Sequence, residues 1–150
     1  MNRVIVLDTG VLGIATNPNA TAEAEAVRRW LEGLTDQGDT IVIPDIADYE
    51  LRRKYIRNHN LKGLRKLKLP ILKTNYISLS TPIMRTAAQL WAQTRQQGKL
   101  TADDEVLDGD VILAAQVYHL DVEEDVSVVV ATTNVKHLEW FVDARKWSEI

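Results

Sequence analysis

Residues 4–12, VIVLDTGVL, decide the fold. Val4 to Leu7 form a continuous apolar run, which is typical of a strand buried on both faces of a parallel sheet. Asp8 follows where this strand should end. An ionised carboxylate beside a hydrophobic core is costly unless a partner compensates its charge. The stretch therefore predicts a buried strand that ends on a carboxylate facing a cation or capping the next turn.

Length and composition limit the class of protein. A chain of 150 residues, 45% of them hydrophobic, fits one globular domain, so we expect a single domain over residues 1–150. The absence of cysteine excludes a disulfide framework, thiolate metal ligands and a cysteine nucleophile. The N-terminal apolar run is too short for a signal peptide, and no window approaches the ~20 apolar residues of a membrane span. We expect a cytoplasmic protein with no membrane segment.

Apolar runs and helical periodicity alternate along the chain. Strands are predicted at 4–7, 40–43, 76–79 and 126–131, and helices at 21–34, 46–57, 61–68, 82–97 and 111–120. Thr21 and Asp108 are the predicted N-caps of the first and last of these helices. Residues 143–150 add an edge strand or a helical turn. Strands separated by helices imply an α/β protein with three α/β/α layers around a central, mostly parallel sheet of four to five strands.

Polar side chains follow several of the predicted strands. In a parallel sheet, ligands bind beyond the carboxyl ends of the strands, which is where Asp8 lies. Glu50 falls in the helix after the second strand, Asp110 opens the helix of DGDVILAAQV, and Asn134 follows the strand of VSVVVA. Carboxylate and amide oxygens are the ligands that Mg²⁺ and Mn²⁺ prefer. We therefore expect Asp8 to face a divalent cation.

Each of these residues has an alternative interpretation. Asp8 also fits an N-cap, and Asn134 fits an ordinary turn residue. Asp108 competes with Asp110 as a ligand, and Asp104 is a further acid that would complete the site. Glu50 competes with two acids of the same helix, Asp45 and Asp48, and helical periodicity alone does not choose among them.

Four motifs in order, VIVLDTGVL, IADYELRRKY, DGDVILAAQV and VVVATTNVKHL, resemble the signature of PIN-domain ribonucleases, especially the VapC-type toxins. The resemblance covers about residues 4–142. It implies a metal-dependent endoribonuclease with a site built from Asp8, Glu50 and Asp110, and with Asn134 at the fourth position. Many family members have an aspartate there, so a neutral asparagine weakens the case for a second metal ion.

Cleavage of a phosphodiester bond requires an activated water and neutralisation of the phosphate charge, and metal ions supply both. Thr9 and Thr132 are placed to hydrogen-bond a ligating carboxylate or a metal-bound water, with His137 as a further candidate. The resemblance also implies that the protein is the toxin of a type II toxin–antitoxin pair, with an antitoxin partner and a homodimeric state.

The charge distribution is strongly uneven. The formal net charge is −3, yet residues 51–102 contain twelve Lys and Arg and no Asp or Glu. A basic segment of this kind is either a solvated helical face or a track for RNA phosphates. Because the segment adjoins Glu50, we expect its first arginines, Arg52, Arg53 and Arg57, to bind RNA.

Two other classes of function remain open. One is a PIN-like RNA-binding module of weak catalytic activity, in which Asn134 leaves the site incomplete. The other is a different phosphate-handling α/β enzyme, such as a phosphatase or a response-regulator-like receiver. The sequence argues against the receiver, because no paired acids follow the first strand and no clear lysine follows the last.

Overall fold

The computed structural model of the protein describes residues 2–68, 75–98 and 103–150. Five parallel strands form one sheet in the order β3-β2-β1-β4-β5. The strands are β1 (Val4–Leu7), β2 (Thr40–Pro44), β3 (Tyr76–Ile77), β4 (Val128–Thr132) and β5 (Ala144–Lys146). The helices are α1 (Thr9–Ala15), α2 (Ala22–Asp36), α3 (Asp45–Arg57), α4 (Leu61–Lys66), α5 (Thr81–Gln97) and α6 (Asp104–Tyr118). Short 3₁₀ turns follow at Leu138–Trp140 and Trp147–Glu149.

The central strand β1 explains the layering, because its side chains alternate between two hydrophobic clusters. Ile5 and Leu7 are fully buried against α1, α2 and α3 on one face. Val4 and Val6 pack on the other face with Leu113 of α6. The predicted α/β architecture with a parallel sheet is therefore confirmed, and the sheet has five strands.

Most predicted elements are present with small shifts of their ends. Thr21 caps α2 by accepting a hydrogen bond from the Ala24 amide at 3.1 Å, as predicted. The helix predicted at 82–97 ends at Gly98, whose φ of 62° is left-handed and is the usual C-cap geometry of glycine. Residues 143–150 contain both an edge strand and a helical turn.

Two predictions near the site were wrong. Asp108 does not cap the last helix and Asp110 does not open it, because α6 begins at Asp104 with Asp103 as its N-cap residue. Leu107, fully buried, extends the apolar face of α6 toward its N-terminus, and Gly109 lies inside the helix rather than ending it. The second error is α1, which follows β1 directly where the sequence predicted only a turn.

In the described residues, no helix is long and apolar enough to cross a membrane. Lys73 and Lys99, which belong to the predicted basic segment, lie outside the described residues.

Candidate metal-dependent nuclease site

Asp8 lies at the carboxyl edge of the sheet, directly after β1. The pairing of Leu7 with Ala131 brings Asp8 next to Thr132 at the end of β4. The Thr132 hydroxyl donates to one carboxylate oxygen of Asp8 at 2.8 Å, and the Thr9 amide donates to the other at 2.7 Å. Burial raises the pKa of Asp8, while these two hydrogen bonds act in the opposite direction. Asp8 is therefore held in a fixed orientation, and it also caps α1.

Glu50 reaches the same place from α3. The Thr9 hydroxyl donates to Glu50 Oε1 at 3.0 Å, so Thr9 contacts both carboxylates, one through its amide and one through its side chain. Burial raises the pKa of Glu50, and repulsion by the Asp8 charge raises it further. The guanidinium of Arg53 offsets part of this effect.

Asp110 enters the cluster from α6. Burial and then the charges of Asp8 and Glu50 raise the pKa of Asp110 from 3.8 to about 7. His137 Nδ1 lies 3.5 Å from a carboxylate oxygen of Asp110. The helix approaches closely at Gly109, where a Cβ atom would lie 3.0 Å from Glu50 Oε2. Three carboxylates from three elements thus interact electrostatically at one edge of the sheet.

The PIN-domain family model matches residues 5–136, which is most of the chain. The chain belongs to the PIN-domain family. PIN domains are generally nucleases. The family resemblance deduced from the four motifs is therefore confirmed. No curated protein sequence matches this PIN chain significantly.

Three solved structures share the fold of this chain. VapBC2 from Rickettsia felis, bound to a DNA fragment from its promoter, superposes with a TM-score of 0.65 at 17% identity, covering 96% of this chain and 98% of that chain. VapBC-1 from nontypeable Haemophilus influenzae superposes with a TM-score of 0.66 at 17% identity, covering 97% of this chain and 98% of that chain. FitAcB from Neisseria gonorrhoeae superposes with a TM-score of 0.63 at 21% identity, covering 97% of this chain and 99% of that chain. At these identities the likeness establishes the fold shared with this PIN domain.

The competing acids of the PIN domain have other contacts. Asp48 forms an ion pair with Arg52 at 2.7 Å, and Asp45 accepts a hydrogen bond from the Leu79 amide at 3.2 Å. Asp104 lies 2.9 Å from the Arg95 guanidinium. Asp108 is exposed, on the side of α6 that borders a cavity with Met84 and Trp91 of α5. The geometry thus brings together Asp8, Glu50 and Asp110.

Asn134 is exposed in the turn after β4. Its side-chain oxygen accepts a hydrogen bond from the Lys136 amide at 3.1 Å, which is the turn geometry that asparagine commonly adopts. The backbone amide of Asn134 donates to Thr132 Oγ1 at 3.1 Å, and the Thr132 hydroxyl in turn donates to Asp8. Asn134 is therefore linked to the carboxylates through Thr132, and its direct participation in catalysis stays a prediction.

The three predicted RNA-binding arginines differ in their surroundings. Arg52 is paired with Asp48 through two hydrogen bonds of 2.7 and 3.1 Å. Arg53 lies over the Tyr49 ring at 5.0 Å and 3.7 Å from Glu105. Arg57 is exposed near the end of α3. Arg57 is thus the arginine of this set that is most available to a phosphate.

Across residues 2–68, 75–98 and 103–150, no group of three His, Cys, Asp or Glu side chains is arranged as a ready-made metal cage. The donor set nevertheless fits a hydrated Mg²⁺, which keeps several waters and binds through one or two carboxylates. The raised pKa values of Asp8, Glu50 and Asp110 point the same way. Burial is the main cause for all three, repulsion by neighbouring carboxylates adds to it for Glu50 and Asp110, and a bound cation would offset both effects.

Gly109 also shapes the site, although nothing in the sequence identifies it as a site residue. A glycine within DGDVILAAQV is more typical of a helix boundary than of a close contact. The structure shows instead a helix that passes close to Glu50.

Proposed function

We propose that this PIN domain is an endoribonuclease that depends on Mg²⁺ or Mn²⁺ and acts as the toxin of a type II toxin–antitoxin pair. The convergence of Asp8, Glu50 and Asp110 carries the proposal, because burial raises the pKa of all three carboxylates and such a desolvated cluster is costly without a cation. The structural likeness to VapBC2, VapBC-1 and FitAcB supports the toxin–antitoxin part.

In the proposed site, Asp8 and Asp110 hold the cation, with Glu50 as the third carboxylate. A bound divalent ion would supply an activated water and neutralise charge on the phosphate. Thr132 and Thr9 keep the carboxylate of Asp8 in one orientation through their hydrogen bonds, and Thr9 does the same for Glu50. The ionised state of Asp110 is required for cation binding, so the site gains affinity as pH rises through about 7.

The remaining parts of the proposal concern partners. Arg57, assisted by Arg52 and Arg53, binds RNA phosphates next to Glu50, and these contacts position the strand without reading its sequence. An antitoxin protein masks the toxin in the cytoplasm, and the active form is a homodimer. Asn134 adds no charge at the fourth position, so one cation binds tightly and any second one binds weakly.

The decisive experiment measures cleavage of a fluorescent single-stranded RNA by purified protein, with Mn²⁺, with Mg²⁺ and with EDTA. We expect cleavage that EDTA abolishes. Asp8→Asn keeps the shape of the side chain but removes its charge, and we expect a loss of activity of at least about a hundredfold with the thermal transition retained.

The matched control is Asp45→Asn, because Asp45 is a carboxylate at the start of α3 whose contact is with the Leu79 amide. Unchanged turnover of Asp8→Asn with Mn²⁺ contradicts the assignment of the ligand. RNA binding without cleavage by the unaltered protein favours the RNA-binding module instead.

A further inference from the structure

A groove of about 470 Å³ borders the carboxylate cluster at Glu50. Thr9 and Glu50 are among the residues that line it. One wall is α1 and the loop that carries Asn17 and Asn19, and the other is α3 and the turn that carries Asn58 and Asn60. We call this feature the asparagine groove. Its volume lies within the ~300–1,000 Å³ typical of pockets that hold small ligands.

The walls are unusually rich in amides. Asn17, Asn19, Asn58 and Asn60 line the groove, and they are four of the seven asparagines in the chain. The side-chain oxygens of Asn17 and Asn60 accept hydrogen bonds from the Asn19 and Gly63 amides, at 3.0 and 2.9 Å. Each of these two side chains therefore keeps its NH₂ group for another acceptor.

Asn58 and Lys54 offer further polar atoms to a ligand. Within the described part of the chain, the Asn58 side chain has no hydrogen-bond partner, so it offers both a donor and an acceptor. Lys54 lines the same wall one helical turn after Glu50, and no carboxylate of the described residues lies within 4.0 Å of it.

Tyr55 and Gly13 both line the groove. Tyr55 is buried, and its hydroxyl is hydrogen-bonded to Thr16 at 2.7 Å. A Cβ atom at Gly13 would lie 3.6 Å from Leu51 Cδ1, an ordinary van der Waals distance. Close packing therefore does not require glycine at position 13, and the missing side chain gives the groove its depth.

We propose that the asparagine groove binds one nucleotide of a single-stranded RNA beside the scissile phosphate, and that it sets the sequence preference of cleavage. The inference rests on the proposed function. Amide side chains pair with the polar edges of unstacked bases, and Lys54 binds the adjoining phosphate as a point charge. Glu50 lines the groove, so a nucleotide bound there lies next to the carboxylates. The amides and the unpaired lysine favour a nucleic acid over an apolar peptide segment as the occupant.

The test plugs the groove without touching the carboxylates. Gly13→Met fills the groove with a flexible apolar side chain, and Gly33→Met is the matched control because Gly33 lies in α2, where a Cβ atom would have no neighbouring atom within 4 Å. The probes are four short fluorescent single-stranded RNAs, each of one base type, bound in EDTA and followed by anisotropy. We expect Gly13→Met to bind the preferred RNA at least about tenfold more weakly, and Gly33→Met to bind it as the unaltered protein does.

Asn58→Ala tests base reading without filling the groove. We expect it to reduce the ratio between the tightest and weakest of the four RNAs by about fivefold or more, since one good amide–base pair discriminates to that extent. Asn75→Ala, at an exposed asparagine outside the groove, is the control and should leave the ratio unchanged. Gly13→Met and Asn58→Ala should also shift the cleavage positions on a mixed-sequence RNA in Mn²⁺.

The outcomes separate this inference from the proposed function. Cleavage by the unaltered protein, with Gly13→Met and Asn58→Ala matching it in RNA affinity and cleavage positions, overturns the groove inference and leaves the nuclease intact. Groove-dependent RNA binding without any cleavage overturns the nuclease and supports the groove. A protein that neither binds any of the four RNAs nor cleaves RNA in Mn²⁺ overturns both.

Discussion

Asp110→Asn should stabilise the metal-free protein while inactivating it. Burial and the charges of Asp8 and Glu50 raise the pKa of Asp110 from 3.8 to about 7, so the ionised side chain destabilises the fold. At 1.36 kcal/mol per unit of pKa, the raised pKa of Asp110 corresponds to a destabilisation of at most roughly 4 kcal/mol. The neutral amide has nearly the same shape and no charge. We expect a gain of about 2–4 kcal/mol in the free energy of unfolding at about pH 8.

The pH dependence gives the sign of the effect. Below about pH 4, the Asp110 carboxyl is protonated in both folded and unfolded chains, and it has no destabilising effect. Between about pH 4 and 7, the folded protein binds a proton that the unfolded chain has released, so the stability of the original protein falls as pH rises. Above about pH 7, the destabilisation is constant. The advantage of Asp110→Asn should therefore grow from near zero to its full value across this range.

Urea unfolding in EDTA, followed by circular dichroism at several pH values, measures this difference. Asp108→Asn is the matched control, because Asp108 is exposed and lies two residues away in the same helix. The free energy of unfolding of this variant should follow that of the original protein at every pH. Added Mn²⁺ should stabilise the original protein and have much less effect on Asp110→Asn. An Asp110→Asn protein that is no more stable at about pH 8 than at about pH 5, relative to the original, would refute the electrostatic account.

Two predictions concern the scaffold that supports the site. Gln116→Leu should lower the free energy of unfolding by about 2–4 kcal/mol in urea titration, because this fully buried amide bonds to backbone groups at the start of α3 and in β3, which the substitution leaves unpaired. Gly63→Ala should destabilise by about 1–3 kcal/mol in the same assay, because its Cβ would lie 2.8 Å from the buried Tyr55 ring, whereas Gly33→Ala has open space and should be neutral or stabilising.

Much of the fold follows from local patterns in the sequence. The run Val4–Leu7 is apolar throughout because both faces of β1 are buried, and the ends of α2 and α5 carry ordinary capping residues. The helix α1 was not predicted because its seven residues include two glycines, which lower helix propensity. This helix depends on the cap from Asp8 and on packing against the core rather than on its own composition.

The site was only partly predictable for a different reason. Asp8 stands out because a carboxylate ends a buried strand, which is visible in the sequence alone. Glu50 does not, because Asp45, Asp48 and Glu50 share one helix and only the packing of α3 against α1 and α6 directs Glu50 inward. The start of α6 was misplaced because Asp108 and Asp110 fit the start of a helix, whereas the buried Leu107 shows that the apolar face of α6 begins earlier.

The cluster of carboxylates also determines how cation and RNA must interact. Asp8, Glu50 and Asp110 carry up to three negative charges beside the asparagine groove, which Glu50 lines, and these charges repel a phosphate and attract a cation. Each ligand therefore lowers the electrostatic cost of binding the other, and linkage requires that the two effects be equal. A divalent ion should tighten RNA binding by the same factor by which RNA tightens the ion, and this coupling should weaken in Asp110→Asn. The carboxylates thereby make RNA binding weaker in EDTA than in the form of the protein that holds the ion.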